Sequence, residues 1–92
     1  MTWLVLISEK AKKDFYSLDN INQKRIKKSF EELKENPYKK RPNADIKKLV
    51  GSHDPELYRL RFGDERIIYS INENKVLITR ILPRKNAYKW LD

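Results

Sequence analysis

Four arginines and a tyrosine in this 92-residue chain have the types and spacing to grip a phosphodiester. In Leu57-Tyr58-Arg59-Leu60-Arg61-Phe62 the alternation of a strand sends Tyr58, Leu60 and Phe62 to one face. Arg59 and Arg61 go to the other face with Leu57, roughly 7 Å apart along the strand. After a Gly63-Asp64 turn, Arg66, Ile68 and Ser70 alternate with Ile67, Tyr69 and Ile71, so a matching register brings Arg66 to the face of Arg59 and Arg61. Arg84 follows the last strand, and Tyr88 lies four residues on, one turn away if that segment is helical. A guanidinium donates in pairs to phosphate oxygens and keeps its charge, so such a set forms a clamp for a phosphate. For the same reason the arginines supply no proton acceptor, and Tyr88 is read first as a stacking or orienting group and only second as a base.

Other chemistries find little material. There is no cysteine, which removes disulfides, thiolate metal sites and thiol nucleophiles and suits a reducing cytoplasm. The single histidine, His53, sits in a Gly-Ser-His-Asp-Pro turn with no second ligand and reads as a surface loop residue. Two glycines cannot build a phosphate-cradling loop, and no metal or cofactor is expected. The apolar run Trp3 to Ile7 is too short to cross a bilayer and lacks the flanks of a secretory signal, so no membrane partner is expected. The formal net charge is +8, of which +2 falls in residues 1–38 and +6 in residues 39–92. That surplus calls for an anionic partner, and it lies where the arginines are.

The elements that must hold these residues can be read in order. Trp3 to Ile7 reads as a strand buried on both faces. Ser8 is an N-cap, and Ala11, Phe15 and Leu18 mark one face of a short helix. Asn20 with Gln23 has capping-box form and restarts a helix whose apolar face is Ile26, Phe30 and Leu33. On its outer side Lys27 with Glu31 and Lys28 with Glu32 are helical neighbours, read as solubility pairs. Asn36-Pro37 stops it. A basic loop from Tyr38 to Asp45 leads into strands over 46–50, 57–62, 66–71 and 76–82, with Pro83 ending the last. Short turns between them demand antiparallel neighbours. The expectation is one α+β domain over 1–92: a first strand and a helical hairpin packed on one face of a mainly antiparallel sheet of four or five strands, then a short C-terminal helix or tail. The other sheet face is left as a working surface.

Together these pieces resemble the RelE/ParE superfamily of toxin–antitoxin toxins, closest to archaeal RelE-like ribonucleases. The likeness is carried by Ser8-Glu9-Lys10-Ala11, Leu33-Lys34-Glu35-Asn36-Pro37, Lys47-Lys48-Leu49-Val50-Gly51 and Leu57-Tyr58-Arg59-Leu60-Arg61. It continues through Gly63-Asp64-Glu65-Arg66-Ile67-Ile68-Tyr69 and Leu82-Pro83-Arg84-Lys85-Asn86-Ala87-Tyr88. The resemblance implies a microbial-RNase-like fold, a RelB-like antitoxin that wraps the toxin, and metal-independent cleavage of mRNA in the ribosomal A site. It implies catalytic roles for Arg66, which stabilises the phosphate, Arg84, a leaving-group or phosphate contact, and Tyr88, which stacks on a base or orients the 2′-hydroxyl. Arg61 completes the catalytic set, and Arg59, Lys47, Lys48 and Lys85 contact RNA phosphates. Arg59 and Arg61 fall where the bacterial type enzyme has lysines, and Val50 where it has an arginine. Two rival expectations remain: a ParE-like toxin that inhibits DNA gyrase without cutting, and a non-catalytic RNA- or ribosome-binding module.

Overall fold

A computed structural model of the chain describes residues 2–51 and 55–83. Ser8 joins β1 (Leu4–Ile7) to α1 (Glu9–Tyr16), and its hydroxyl accepts from the Ala11 N–H at 3.1 Å, the N-cap its position predicts. In α2 (Asn20–Glu35) the cap differs from expectation. Asp19 takes the role, its carboxylate accepting from the Asn22 N–H at 2.8 Å, so Asn20 becomes the first helical residue. A charged acceptor at this position also meets the positive end of the helix dipole. Gln23 turns back to donate to the carbonyls of Phe15 and Leu18, tying the two helices together. Asn36, in extended backbone before Pro37, ends α2.

Four strands follow: β2 (Asp45–Lys48), β3 (Leu57–Phe62), β4 (Glu65–Asn72) and β5 (Lys75–Pro83). The sheet order is β1-β5-β4-β3-β2; β1 runs parallel to β5 and every other neighbour is antiparallel. Gly63, at φ +61°, allows the tight β3–β4 hairpin, since a left-handed backbone is cheap for a residue without Cβ. The helices cover one face. There Ala11, Phe15, Ile26 and Leu33 bury against Ile46, Leu60, Ile67, Tyr69, Val76 and Ile78. The Tyr69 hydroxyl donates to the Pro37 carbonyl at 2.7 Å, and its ring stacks on Tyr58.

Three expectations are corrected. β1 is an edge strand with one covered face, and Leu4 and Leu6 are exposed on the other, because the helical hairpin packs on a single side of the sheet. β2 ends at Lys48 rather than Val50, which is 96% exposed. On α2 neither anticipated pair forms: Glu31 takes Lys34 and Glu32 takes Arg41. Arg41 wins because its guanidinium also donates to the carbonyls of Glu32, Asn36 and Lys39, at and just beyond the C-terminal end of α2. The C-terminal helix or tail, with Trp90, lies outside the described residues, as does His53.

Candidate nucleic-acid interface

The sheet face away from the helices carries the arginines. In β2–β3 register Asp45 stands opposite Arg61 and Lys47 opposite Arg59. In β3–β4 register Arg61 stands directly opposite Arg66 and Arg59 opposite Ile68. Residues paired across strands share a face, so Lys47, Arg59, Arg61 and Arg66 gather on the face that carries the Asp45 carboxylate. Like charges directly opposite one another are unfavourable in a sheet. An anion laid across Arg61 and Arg66 turns that cost into attraction.

The members differ in freedom. Arg66 is 3% exposed, and its Nη1 donates to the carbonyls of Gly63 and Glu65 at 3.4 and 3.1 Å, so the hairpin holds this end of the guanidinium. Arg61 is exposed. Arg59 lies 3.8 Å from Asp45 Oδ1, and Lys40 reaches the same oxygen at 3.7 Å. Next to the arginines Ile68 and Leu82 are buried, with Leu49 and Leu57 packed against them. Farther along the face, Leu4, Leu6 and Leu77 are exposed. Cationic and apolar halves thus share one surface.

Lys48 does not join this set. It stands opposite Tyr58 on the helix side and pairs with Glu56 at 2.9 Å, because the strand alternation that turns Lys47 outward turns Lys48 the other way. The Glu56 carboxylate, through its hydrogen bond and its charge, raises the Lys48 pKa. The phenols of Tyr58 and Tyr69 are also on the helix side, where burial pushes both above the ordinary tyrosine value. Arg84, Lys85 and Tyr88 lie outside the described residues.

Two features of the site escaped sequence reasoning. The basic loop expected over Tyr38 to Asp45 ends one residue too late: Asp45 opens β2, and the alternation Asp45-Ile46-Lys47 carries the signal of an outward carboxylate. Arg80, in the last strand, has no local pattern that marks its role. There a register shift between Ile68 and Tyr69 leaves Thr79 unpaired, and Arg80 makes a two-pronged contact with Asp14 of α1 at 2.8 and 3.1 Å. Asp14 also accepts from the Ile81 N–H at 2.9 Å, taking the place of a neighbouring strand where β1 has ended. This clasp fixes the part of β5 that pairs Leu82 with Arg66. Among the described residues no group of three or more His, Asp or Glu side chains is placed to hold a metal ion. No helix among them is long and apolar enough to cross a membrane.

The family model described as the ParE toxin of the type II toxin–antitoxin system parDE matches residues 5–88. The chain belongs to the ParE/RelE family of type II toxins. RelE1 of Methanocaldococcus jannaschii is 37% identical over 91 residues, covering 97% of this chain and 98% of that protein. Among solved structures, the archaeal RelE–RelB complex from Pyrococcus horikoshii OT3 matches with a TM-score of 0.77 and 35% identity, over 91% of this chain and 97% of that one. The RelB–RelE antitoxin–toxin complex from Methanococcus jannaschii matches with a TM-score of 0.73 and 31% identity, over 95% and 99% of the two chains. This ParE/RelE toxin has the two helices and the mixed five-stranded sheet of those neighbours.

Proposed function

We propose that this toxin blocks translation by cutting mRNA on the ribosome, with the outer sheet face as its RNA-binding and catalytic surface. The observation that carries the reading is the direct opposition of Arg61 and Arg66, with Arg59 and Lys47 alongside. RNA brings its own nucleophile. Attack of the 2′-hydroxyl on the adjacent phosphorus forms a 2′,3′-cyclic phosphate and releases a 5′-hydroxyl. The protein must hold the phosphate in line and neutralise charge that grows on its non-bridging oxygens. Arg66, fixed by the hairpin carbonyls, is preorganised for that task, and one such donor is worth roughly 2.7–4 kcal/mol. Arg61 and Arg59 steer the backbone, and Lys47 and Lys85 extend the contact. Arg84 holds the leaving oxygen or the phosphate, and Tyr88 stacks on a base or orients the 2′-hydroxyl. A RelB-like antitoxin is the partner in the cell, acidic where it meets the arginines; the two archaeal neighbours above were solved with RelB.

The match to the ParE model favours one other reading, inhibition of DNA gyrase without cleavage. In vitro translation with primer extension on the message, run beside a gyrase supercoiling assay, separates them. Codon-dependent cuts that fall by about 100-fold in Arg66→Ala, with supercoiling untouched, support the nuclease. Intact message with blocked supercoiling replaces it with the ParE-type activity.

A further inference from the structure

The reaction needs a group that takes the proton of the 2′-hydroxyl, and arginine cannot. We propose that the Asp45 carboxylate is that acceptor; the inference rests on the nuclease reading above. In β2, Ile46 points into the core and Asp45 and Lys47 point outward. The registers set Asp45, Arg61 and Arg66 three abreast on neighbouring strands. At the usual spacing of about 4.8 Å between strands, the row spans roughly 10 Å. With its 3′-linked ribose laid toward β2, a phosphate held by Arg61 and Arg66 brings the 2′-hydroxyl to Asp45.

Other carboxylates near this part of the molecule are paired or lie on the helix side of the sheet. Asp14 accepts three hydrogen bonds from Arg80 and Ile81. Glu32 is held by two nitrogens of Arg41, and Glu56 pairs with Lys48 on the helix side. Glu65 alternates with Arg66, so it is buried on the helix side beside Asp64 and Asp19. Asp45 faces outward and is open. Its side chain accepts no hydrogen bond from any described residue, and its two cations, at 3.7 and 3.8 Å, stand farther off than a hydrogen bond reaches. It remains 35% exposed, at the rim of a cleft of about 570 Å³. Its lone pairs are therefore open to an incoming hydroxyl, while Arg59 and Lys40 hold its position.

The step balances without a metal or an oxidant. Asp45 takes the 2′-hydroxyl proton as the 2′-oxygen forms its bond to phosphorus. The bond from phosphorus to the 5′-oxygen breaks, its electron pair stays on that oxygen, and a proton from solvent water or a neighbouring acid neutralises it. Asp45 then gives its proton to water.

The test compares wild type, Asp45→Asn and Asp45→Glu in single-turnover cleavage of ribosome-bound mRNA across pH, with binding to the same complex and thermal melting measured alongside. The groups that face Asp45 are Lys40, Arg59 and Arg61, with Lys28, Glu31 and Glu32 of α2 across the cleft. The carboxylates among them are the two glutamates, and both are kept in all three proteins. Asp45→Asn should slow cleavage by 10²–10⁴-fold, about what a general base contributes, and flatten the acid limb of the profile. Binding should be equal or tighter, since a negative charge has left the phosphate site, and Asp45→Glu should recover part of the rate. A loss smaller than about tenfold, or an unchanged acid limb, overturns the assignment and leaves Asp45 as the holder of Arg59 and Lys40. Loss of binding or melting together with cleavage overturns it as well. If wild type cuts nothing on the ribosome, the nuclease reading fails first and this inference with it.

Discussion

The clasp between α1 and the end of β5 should be the most sensitive polar contact in the fold. β1 stops at Ile7, opposite Ile78, so the outer edge of β5 beyond that point has no strand beside it. Asp14 answers with three contacts, Nε and Nη2 of Arg80 and the Ile81 N–H, all between 2.8 and 3.1 Å. The Asp14 and Arg80 side chains are 17% and 25% exposed, which leaves them little access to water. The hydrogen bond to Asp14, ahead of the partial burial that opposes it, raises the Arg80 pKa further, so this pair does not loosen by loss of the guanidinium proton. Asp14→Ala strips a charge-assisted pair worth about 1.5–3 kcal/mol and leaves the Ile81 N–H without its partner, about 1–3 kcal/mol more. Solvent reaching the exposed quarter of Arg80 lowers the sum, so about 3 kcal/mol is expected. At roughly 5 °C per kcal/mol for a domain of this size, the melting point should fall by about 15 °C. Urea unfolding should show a lower midpoint with an unchanged slope. The double variant Asp14→Ala/Arg80→Ala should cost less than the two single changes added together, by at least about 1 kcal/mol, because the second change removes a cation already stranded. A loss below about 1 kcal/mol for Asp14→Ala, or strict additivity in the cycle, would refute the account of this contact.

Arginine geometry should matter more at the buried position than at the exposed one. Arg66→Lys, which loses the planar guanidinium that Gly63 and Glu65 hold through Nη1, should lower single-turnover cleavage by about 100-fold, whereas Arg61→Lys should cost less than about tenfold; the reverse order would contradict the assigned roles. Glu65 should make the fold less stable as pH rises. Burial first, then the Asp64 and Asp19 carboxylates, push its pKa above the ordinary glutamate value, while Arg66 opposes, and Oε2 is buried without a hydrogen-bond partner among the described residues. The folded state therefore holds the proton more tightly than the unfolded chain, and the stability this gives is complete below the unfolded value of 4.5 and lost as pH climbs through the folded one. Glu65→Gln should erase that fall, leaving the variant more stable relative to wild type at pH 7 than at pH 4 in parallel urea titrations; an equal difference at both would show that Glu65 is not held this way.

Much of this molecule is written locally in its sequence. Ser8 caps α1 because its own hydroxyl reaches a backbone N–H three residues on, and Pro37 stops α2 by restricting the residue before it. The strand over Leu57–Phe62 has the bounds and the facing that its alternation predicts, with Leu60 buried and Arg61 exposed. These depend on near neighbours and on period, which any short window of sequence contains. The partners chosen by charged side chains are another matter. Lys27 and Lys28 have glutamates one helical turn away, yet Glu31 and Glu32 go to Lys34 and Arg41. Lys47 and Lys48 are identical neighbours, but only Lys47 stands on the arginine face.

Sequence by itself determined the types of the elements, their order, the arginine-rich strand pair and the family likeness, since these follow from periodicity, turn residues and spacing. Tertiary structure decided that β1 is an edge strand, that Arg61 lies squarely opposite Arg66, that Asp45 stands in the same row, and that Asp14 closes the end of β5. The reason is physical. A side chain's face is set by its own strand, but its neighbours across the sheet depend on register, a property of two segments paired at a distance.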